Sequence, residues 1–221
     1  MIQSAEALQT LSSGWFLEHA WLIPVVPAIA FFIIILFGKK LPMKGSEIGL
    51  LSMLSSLVLA GGTAMQWIDR VGSGAEGQFI APVVRTWNWW QIGGMKFTIG
   101  QSIDGLAVIV LVVVAFISTL VQLYSTEYLK GDRRYTHFFA ALTLFSAGML
   151  AMVVAEDMIL FLLGWEIMGL CSFMLIGHWW EDGANSRAAL KAFFTVRTGD
   201  MGLLIGVAML YFASNDWTTE N

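Results

Sequence analysis

The stretch MILFLLGWEIMGLCSFMLIG, residues Met158 to Gly177, decides how this chain is read. It is apolar over about the 20 residues that a helix needs to cross a bilayer. Near its middle stands a carboxylate, Glu166. An acidic side chain at that depth costs roughly 3 kcal/mol on insertion scales, so it marks a functional position unless a structural use is found. The alternative is a structural carboxylate, protonated or hydrogen-bonded to a neighbouring helix. The next apolar segment carries further ionisable groups of both signs, Lys191, Arg197 and Asp200, which favours the functional reading.

The rest of the chain agrees with a membrane setting. Of 221 residues, 57% are apolar and only 13% charged, against about 25% charged in soluble domains. Mean hydropathy is +0.71. Six spanning segments are expected, near Trp21–Gly38, Ile48–Ile68, Gly105–Tyr124, Phe138–Ala155, Met158–Gly177 and Ala188–Phe212. Ser46, Asp104, Asp157 and Ser186 stand where N-caps would start four of them. The expected class is therefore an all-α polytopic membrane protein. Its expected divisions are a helix pair over 1–69, an external loop over 70–104, and a helical module over 105–221.

That loop is patterned. Val83–Trp90 and Met95–Gly100 are β-prone and flank Gly93-Gly94, which reads as a hairpin turn. Trp87, Trp89 and Trp90 suit an interfacial level, and the hairpin reads as a clip against a neighbour before it reads as a ligand site. Lys39, Lys40 and Lys44 lie in one loop, Lys130, Arg133 and Arg134 in a second, and Arg187 in a third. These loops alternate onto one side, so both ends of the chain are expected outside and the basic loops in the cytoplasm. The first 20 residues contain no Lys or Arg and include Glu6 and Glu18, unlike a secretory signal. No basic stripe with interleaved aromatics supports nucleic-acid binding. The single cysteine, Cys171, leaves no disulfide or thiolate-held cluster within the chain and reads as a packing residue.

At helical spacing Glu166 shares a stripe with Leu162, Gly169, Phe173 and Gly177, and small residues there favour close helix contact. The stripe is expected to face protein. Burial and a nearby cation act on a carboxylate's proton affinity in opposite senses, and a proton carrier uses that balance. Arg197 and Asp200, three apart, can pair on one helix face. That pair is either part of the chemistry or a self-neutralised couple that makes insertion tolerable. Lys191 is a relay position if it stays in the span, or a snorkelling residue near its end. His178, beside Trp179 and Trp180, reads as interfacial and is a minor relay candidate. Asp104 and Glu127 read as caps or headgroup-level residues, and Tyr124, Tyr128 and Tyr135 as interfacial anchors.

The signatures Gly164-Trp165-Glu166 with Gly169-Leu170-Cys171-Ser172, and Lys191-Ala192-Phe193 with Arg197-Thr198-Gly199-Asp200, resemble the antiporter-like membrane family shared by respiratory complex I and multisubunit cation/proton antiporters. Ser102-Ile103-Asp104-Gly105-Leu106 and the preceding hairpin fit its chain 5 (subunit L) branch, and the likeness runs over essentially the whole chain. The resemblance implies a redox-free, proton-moving subunit. Glu166 would be the carboxylate of the first half-channel, with Arg197 and Asp200 modulating it and a lysine on a following helix as its switching partner. It also implies other membrane-arm subunits and the lipid bilayer as partners. NADH, FMN, Fe–S clusters and quinone would be held by partner subunits, none by this chain. The expected location is the inner (plasma) membrane. The family's second inverted repeat lies beyond Asn221, so the chain is expected to be an N-terminal part that does not move protons alone. A cation/proton antiporter subunit and a non-pumping structural piece are the other readings.

Overall fold

The computed structural model describes residues 14–73, 80–92 and 95–216. Its helices are α1 (Trp15–Glu18), α2 (Leu22–Phe37), α3 (Ser46–Gly72), α4 (Gly105–Tyr128), α5 (Tyr135–Val154), α6 (Met158–Ile176) and α7 (Gly183–Asp216). A 3-10 turn, Gly38–Lys40, follows α2, and strands β1 (Val83–Ile92) and β2 (Met95–Ile103) lie between α3 and α4. The six helices from α2 on are long and apolar enough to cross a membrane. The chain is thus a polytopic helical membrane protein with an antiparallel hairpin between its second and third spans, as the sequence reading held.

Helix starts test that reading residue by residue. Asp104 caps α4, its Oδ1 accepting from the Ala107 N–H at 2.7 Å. Asp157 does the same before α6, accepting from the Leu160 N–H at 2.7 Å. The other two caps are corrected. Ser46 is the first residue of α3, and the cap is Gly45, whose φ of 98° favours glycine. The Glu47 carboxylate satisfies the Met43 and Gly45 N–H groups at 3.3 and 3.2 Å. Ser186 lies inside α7, which begins at Gly183. There Asp182 Oδ1 accepts from the Ala184 N–H at 2.9 Å, while the Ser186 hydroxyl donates back to Trp180 O. The last helix also runs to Asp216, four residues past its expected end at Phe212. Residues 217–221 lie outside the described residues, as do 1–13, with Glu6, and the Gly93-Gly94 turn.

The chain divides into two compact units, Met1–Met168 and Gly169–Asn221. In the first, α2 packs on α3 and α5, α3 on α4, and α4 on α5. Ile23, Met53, Leu111 and Leu150 are fully buried among them. Between membrane helices the gain is close packing and hydrogen bonding, since lipid is as apolar as leucine. Small residues permit the packing. A Cβ at Gly62 would stand 2.7 Å from the Phe16 ring, and one at Gly164 2.7 Å from the Gly148 carbonyl oxygen. Hydroxyls supply the bonding. Pro27 inside α2 has no N–H to give Ile23, and the Ser56 hydroxyl of α3 donates to that Ile23 carbonyl at 2.8 Å. Gln122 of α4 donates to Thr143 Oγ1 of α5 at 3.2 Å, both fully buried.

The hairpin is antiparallel, with Val83 opposite Ile103 and a bulge between Asn88 and Trp90. It does act as a clip, and its target is this chain's own first unit. Gln101 Nε2 donates to Leu17 O and Glu18 O at 2.8 and 3.1 Å, and its Oε1 accepts from the Trp21 N–H. Arg85 adds a bond to Glu18 O at 3.2 Å. A bridge between Gln101 and Ala155 ties the α5–α6 turn to the same strand.

In the second unit the end of α6 lies along the start of α7. Phe173 and Phe193 rings meet at 5.2 Å, and a Cβ at Gly177 would touch the Ala189 methyl at 3.3 Å. Ala189 is buried there. His178, read from sequence as interfacial, is also buried, its ring edge-on to Trp179 at 5.3 Å.

Candidate functional site

Glu166 lies near the middle of α6, as expected, and its residue is half-buried. Two edges of α6 are distinct. Gly164 and Cys171 are buried and mark one edge, with Ile167 close beside them. Glu166 is two residues from Gly164, roughly 200° around a helix of 3.6 residues per turn. It therefore shares the other edge with Leu162, Gly169, Phe173 and Gly177, and all five of these residues are half-buried. Leu163 and Leu170, which flank Glu166 on the same face three residues before and four after it, are exposed. The predicted stripe is thus covered in part, and the closest backbone packing of α6 is on the Gly164 edge instead.

Gly169, Phe173 and Gly177, the C-terminal members of the stripe, all meet α7. A Cβ at Gly169 would stand 3.5 Å from Arg197 Nη2, so the guanidinium lies against bare backbone. Arg197 Nη1 donates to Asp200 Oδ2 at 3.3 Å, with side chains 27% and 8% exposed. The pairing expected from their three-residue spacing is therefore formed. Arg197 also sits 4.9 Å over the Phe193 ring. That cation–π contact was missed from sequence, though an aromatic four residues before an arginine on a helix was its visible signal. Asp200 is buried, a position a carboxylate takes up only when paired.

Lys191 is on the same helix with an exposed side chain and is not part of the Arg197–Asp200 pair. Asp104 is confirmed as a cap, and Glu127 forms an exposed ion pair with Lys130 at 2.9 Å. Tyr124 and Tyr128 are exposed and stack at 5.6 Å, on the outside of α4 where anchors belong. Chemically, α6 offers a mid-span carboxylate, and α7 carries an ion pair whose carboxylate is buried.

Residues 89–139 match the family described as NADH-Ubiquinone oxidoreductase (complex I), chain 5 N-terminus. Residues 155–221, which include Glu166, Lys191, Arg197 and Asp200, match the family described as NADH:quinone oxidoreductase/Mrp antiporter, TM. The chain is 34% identical over 193 residues to F(420)H(2) dehydrogenase subunit L of Methanosarcina mazei, covering 87% of this chain and 27% of that protein. It is 32% identical over 207 residues to NAD(P)H-quinone oxidoreductase chain 5 of Synechocystis sp., covering 90% and 29%. The chain therefore spans under a third of the length of these relatives. A solved structure of the membrane-bound sulfane sulfur reductase, an archaeal respiratory membrane complex, shares the fold. Its TM-score is 0.74 at 18% identity, over 90% of this chain and 38% of that one. With the six spans and the hairpin in place, the chain carries the complex I chain 5 N-terminal domain and the antiporter-like transmembrane domain.

Proposed function

We propose that this chain is the N-terminal part of a proton-translocating membrane-arm subunit of a quinone-reducing respiratory complex, with Glu166 as its proton carrier. The observation that carries the reading is a half-buried carboxylate in the middle of a spanning helix, on the edge whose next turns meet the Arg197 helix. A carboxylate so placed binds and releases a proton according to the charges around it. Arg197 and Asp200 modulate that balance by holding or parting their ion pair, and Lys191 is the relay position toward the basic loops. The subunit is redox-free. NADH or an equivalent donor, FMN, Fe–S clusters and quinone are handled by partner subunits. The subunit sits in the inner (plasma) membrane with the Lys- and Arg-rich loops cytoplasmic.

The test is Glu166→Gln in the full-length subunit within its assembled complex. Proton translocation in sealed vesicles is expected to fall by about tenfold or more, as for loss of a positioned proton-transfer group. Quinone reduction should fall with it, Glu166→Asp should recover part of both, and assembly on native gels should be unchanged. Unaltered protons moved per electron in Glu166→Gln would remove this residue from the mechanism. Na⁺-dependent cation exchange without any quinone reduction would favour the antiporter reading.

A further inference from the structure

The underside of the hairpin roofs a cleft of about 520 Å³ in the first unit, walled by α2, α5 and α6. That volume lies within the ~300–1,000 Å³ of clefts that hold organic ligands. Its walls are apolar and its depth is set by small residues, Ala28 on α2 and Gly148 and Ala151 on α5. Lining positions run from Trp21 to Ala28, from Val154 back to Leu144, and from Leu160 to Ile167. At 1.5 Å per helical residue the trough descends about 10–15 Å from the hairpin. This is the depth of one leaflet of a ~30 Å hydrocarbon core.

The mouth has a different chemistry. Arg85, Trp21, Trp87 and His19 line it, and the lining contains no carboxylate among the described residues. Arg85 is held there by its bond to Glu18 O and by its contact with the Trp87 ring at 5.4 Å. A guanidinium has five donors in a planar fork that suits phosphate oxygens, and only one donor is given to Glu18 O. Indole rings are at home at the headgroup level beside it. A cation and aromatics at the membrane surface, above an apolar trough one leaflet deep, match the two ends of a phospholipid.

We infer that this cleft is a binding site for one anionic glycerophospholipid, its phosphate on Arg85 and an acyl chain along α2, α5 and α6. The site is separate from Glu166 and stands whether or not Glu166 carries protons. Bound lipid would fill the space between the α2 and α6 walls beneath the hairpin, and so hold the clip over occupied volume.

The test uses the protein purified from its native membranes and placed in nanodiscs of phosphatidylcholine containing a minor share of phosphatidylglycerol. Native mass spectrometry should show phosphatidylglycerol retained in preference to phosphatidylcholine. A phosphatidylglycerol with a photoreactive acyl chain should label the Trp21–Ala28, Leu144–Val154 and Leu160–Ile167 segments. Arg85→Gln is expected to lower retention roughly fivefold, the factor for one basic residue at an anionic lipid surface. Ala151→Phe fills the trough and should abolish acyl labelling with Arg85 still present, which keeps the test decisive if Arg85→Gln folds poorly. Equal retention of both lipids, or no labelling of these segments because a further helix or a partner occupies the cleft, would overturn the inference.

Discussion

The helices α2 to α5 and the pair α6 and α7 are built to similar apolarity but used differently. The strongest windows of α2 to α5 have mean hydropathies of 1.7 to 2.8 and are 33% to 56% buried within the chain. Those of α6 and α7 have 2.1 and 1.4, yet are only 11% and 6% buried. In water such exposure would be penalised; in a bilayer an apolar helix surface needs no protein cover. Hydropathy therefore reports the solvent of a helix and says little about its neighbours. What separates the two regions is the use made of small residues: Gly62 and Ser56 of α3 meet other helices, whereas a Cβ at Gly199, Gly202 or Gly206 of α7 would meet nothing within 4 Å.

The same substitution at two glycines should break this comparison most clearly. Gly62→Ala on α3 places a methyl 2.7 to 2.9 Å from atoms of the Phe16 ring, where the ring or the backbone must move. We expect a loss of about 2–3 kcal/mol, read as a lower midpoint in thermal unfolding in detergent. A smaller effect follows at the proline of α2. Ser56→Ala leaves the Ile23 carbonyl without its hydroxyl donor and should cost about 1 kcal/mol, with faster hydrogen exchange confined to the middle of α2 and α3. The smallest effect belongs to the second region. A Cβ at Gly199 meets nothing within 4 Å, so Gly199→Ala should change stability by less than ~0.5 kcal/mol, or raise it slightly through helix propensity. If Gly199→Ala proved as damaging as Gly62→Ala, that face of α7 would be packed against protein in the assembled subunit, and the contrast between the two regions would fall.

What could be read from the residues follows the range of the interactions. Asp104 and Asp157 cap within three residues of themselves and were legible. Ser46 and Ser186 had the right chemistry, but a left-handed glycine with a carboxylate behind it, and Asp182, made better starts a few residues earlier. The Arg197–Asp200 pair was legible because one helix turn brings it together. The free carbonyl of Ile23 was implied by Pro27, yet its partner Ser56 was not, since that depends on which helices pair. The clip of Gln101 was invisible for a related reason. Its partners are backbone groups, which leave no mark in a sequence.

That clip also sets an order of events during synthesis. Gln101 follows Trp21 by 80 residues. At the usual pace of ~5–20 residues per second, it emerges from the ribosome about 4–16 s after the backbone groups it must hold. In that interval α2 and α3 are made, and the hairpin must reach the side of the membrane where α2 begins before the start of α2 can be pinned. The span of α2 is then provisional in position until α4 begins to insert, and its starting end is fixed in retrospect by a loop between later spans.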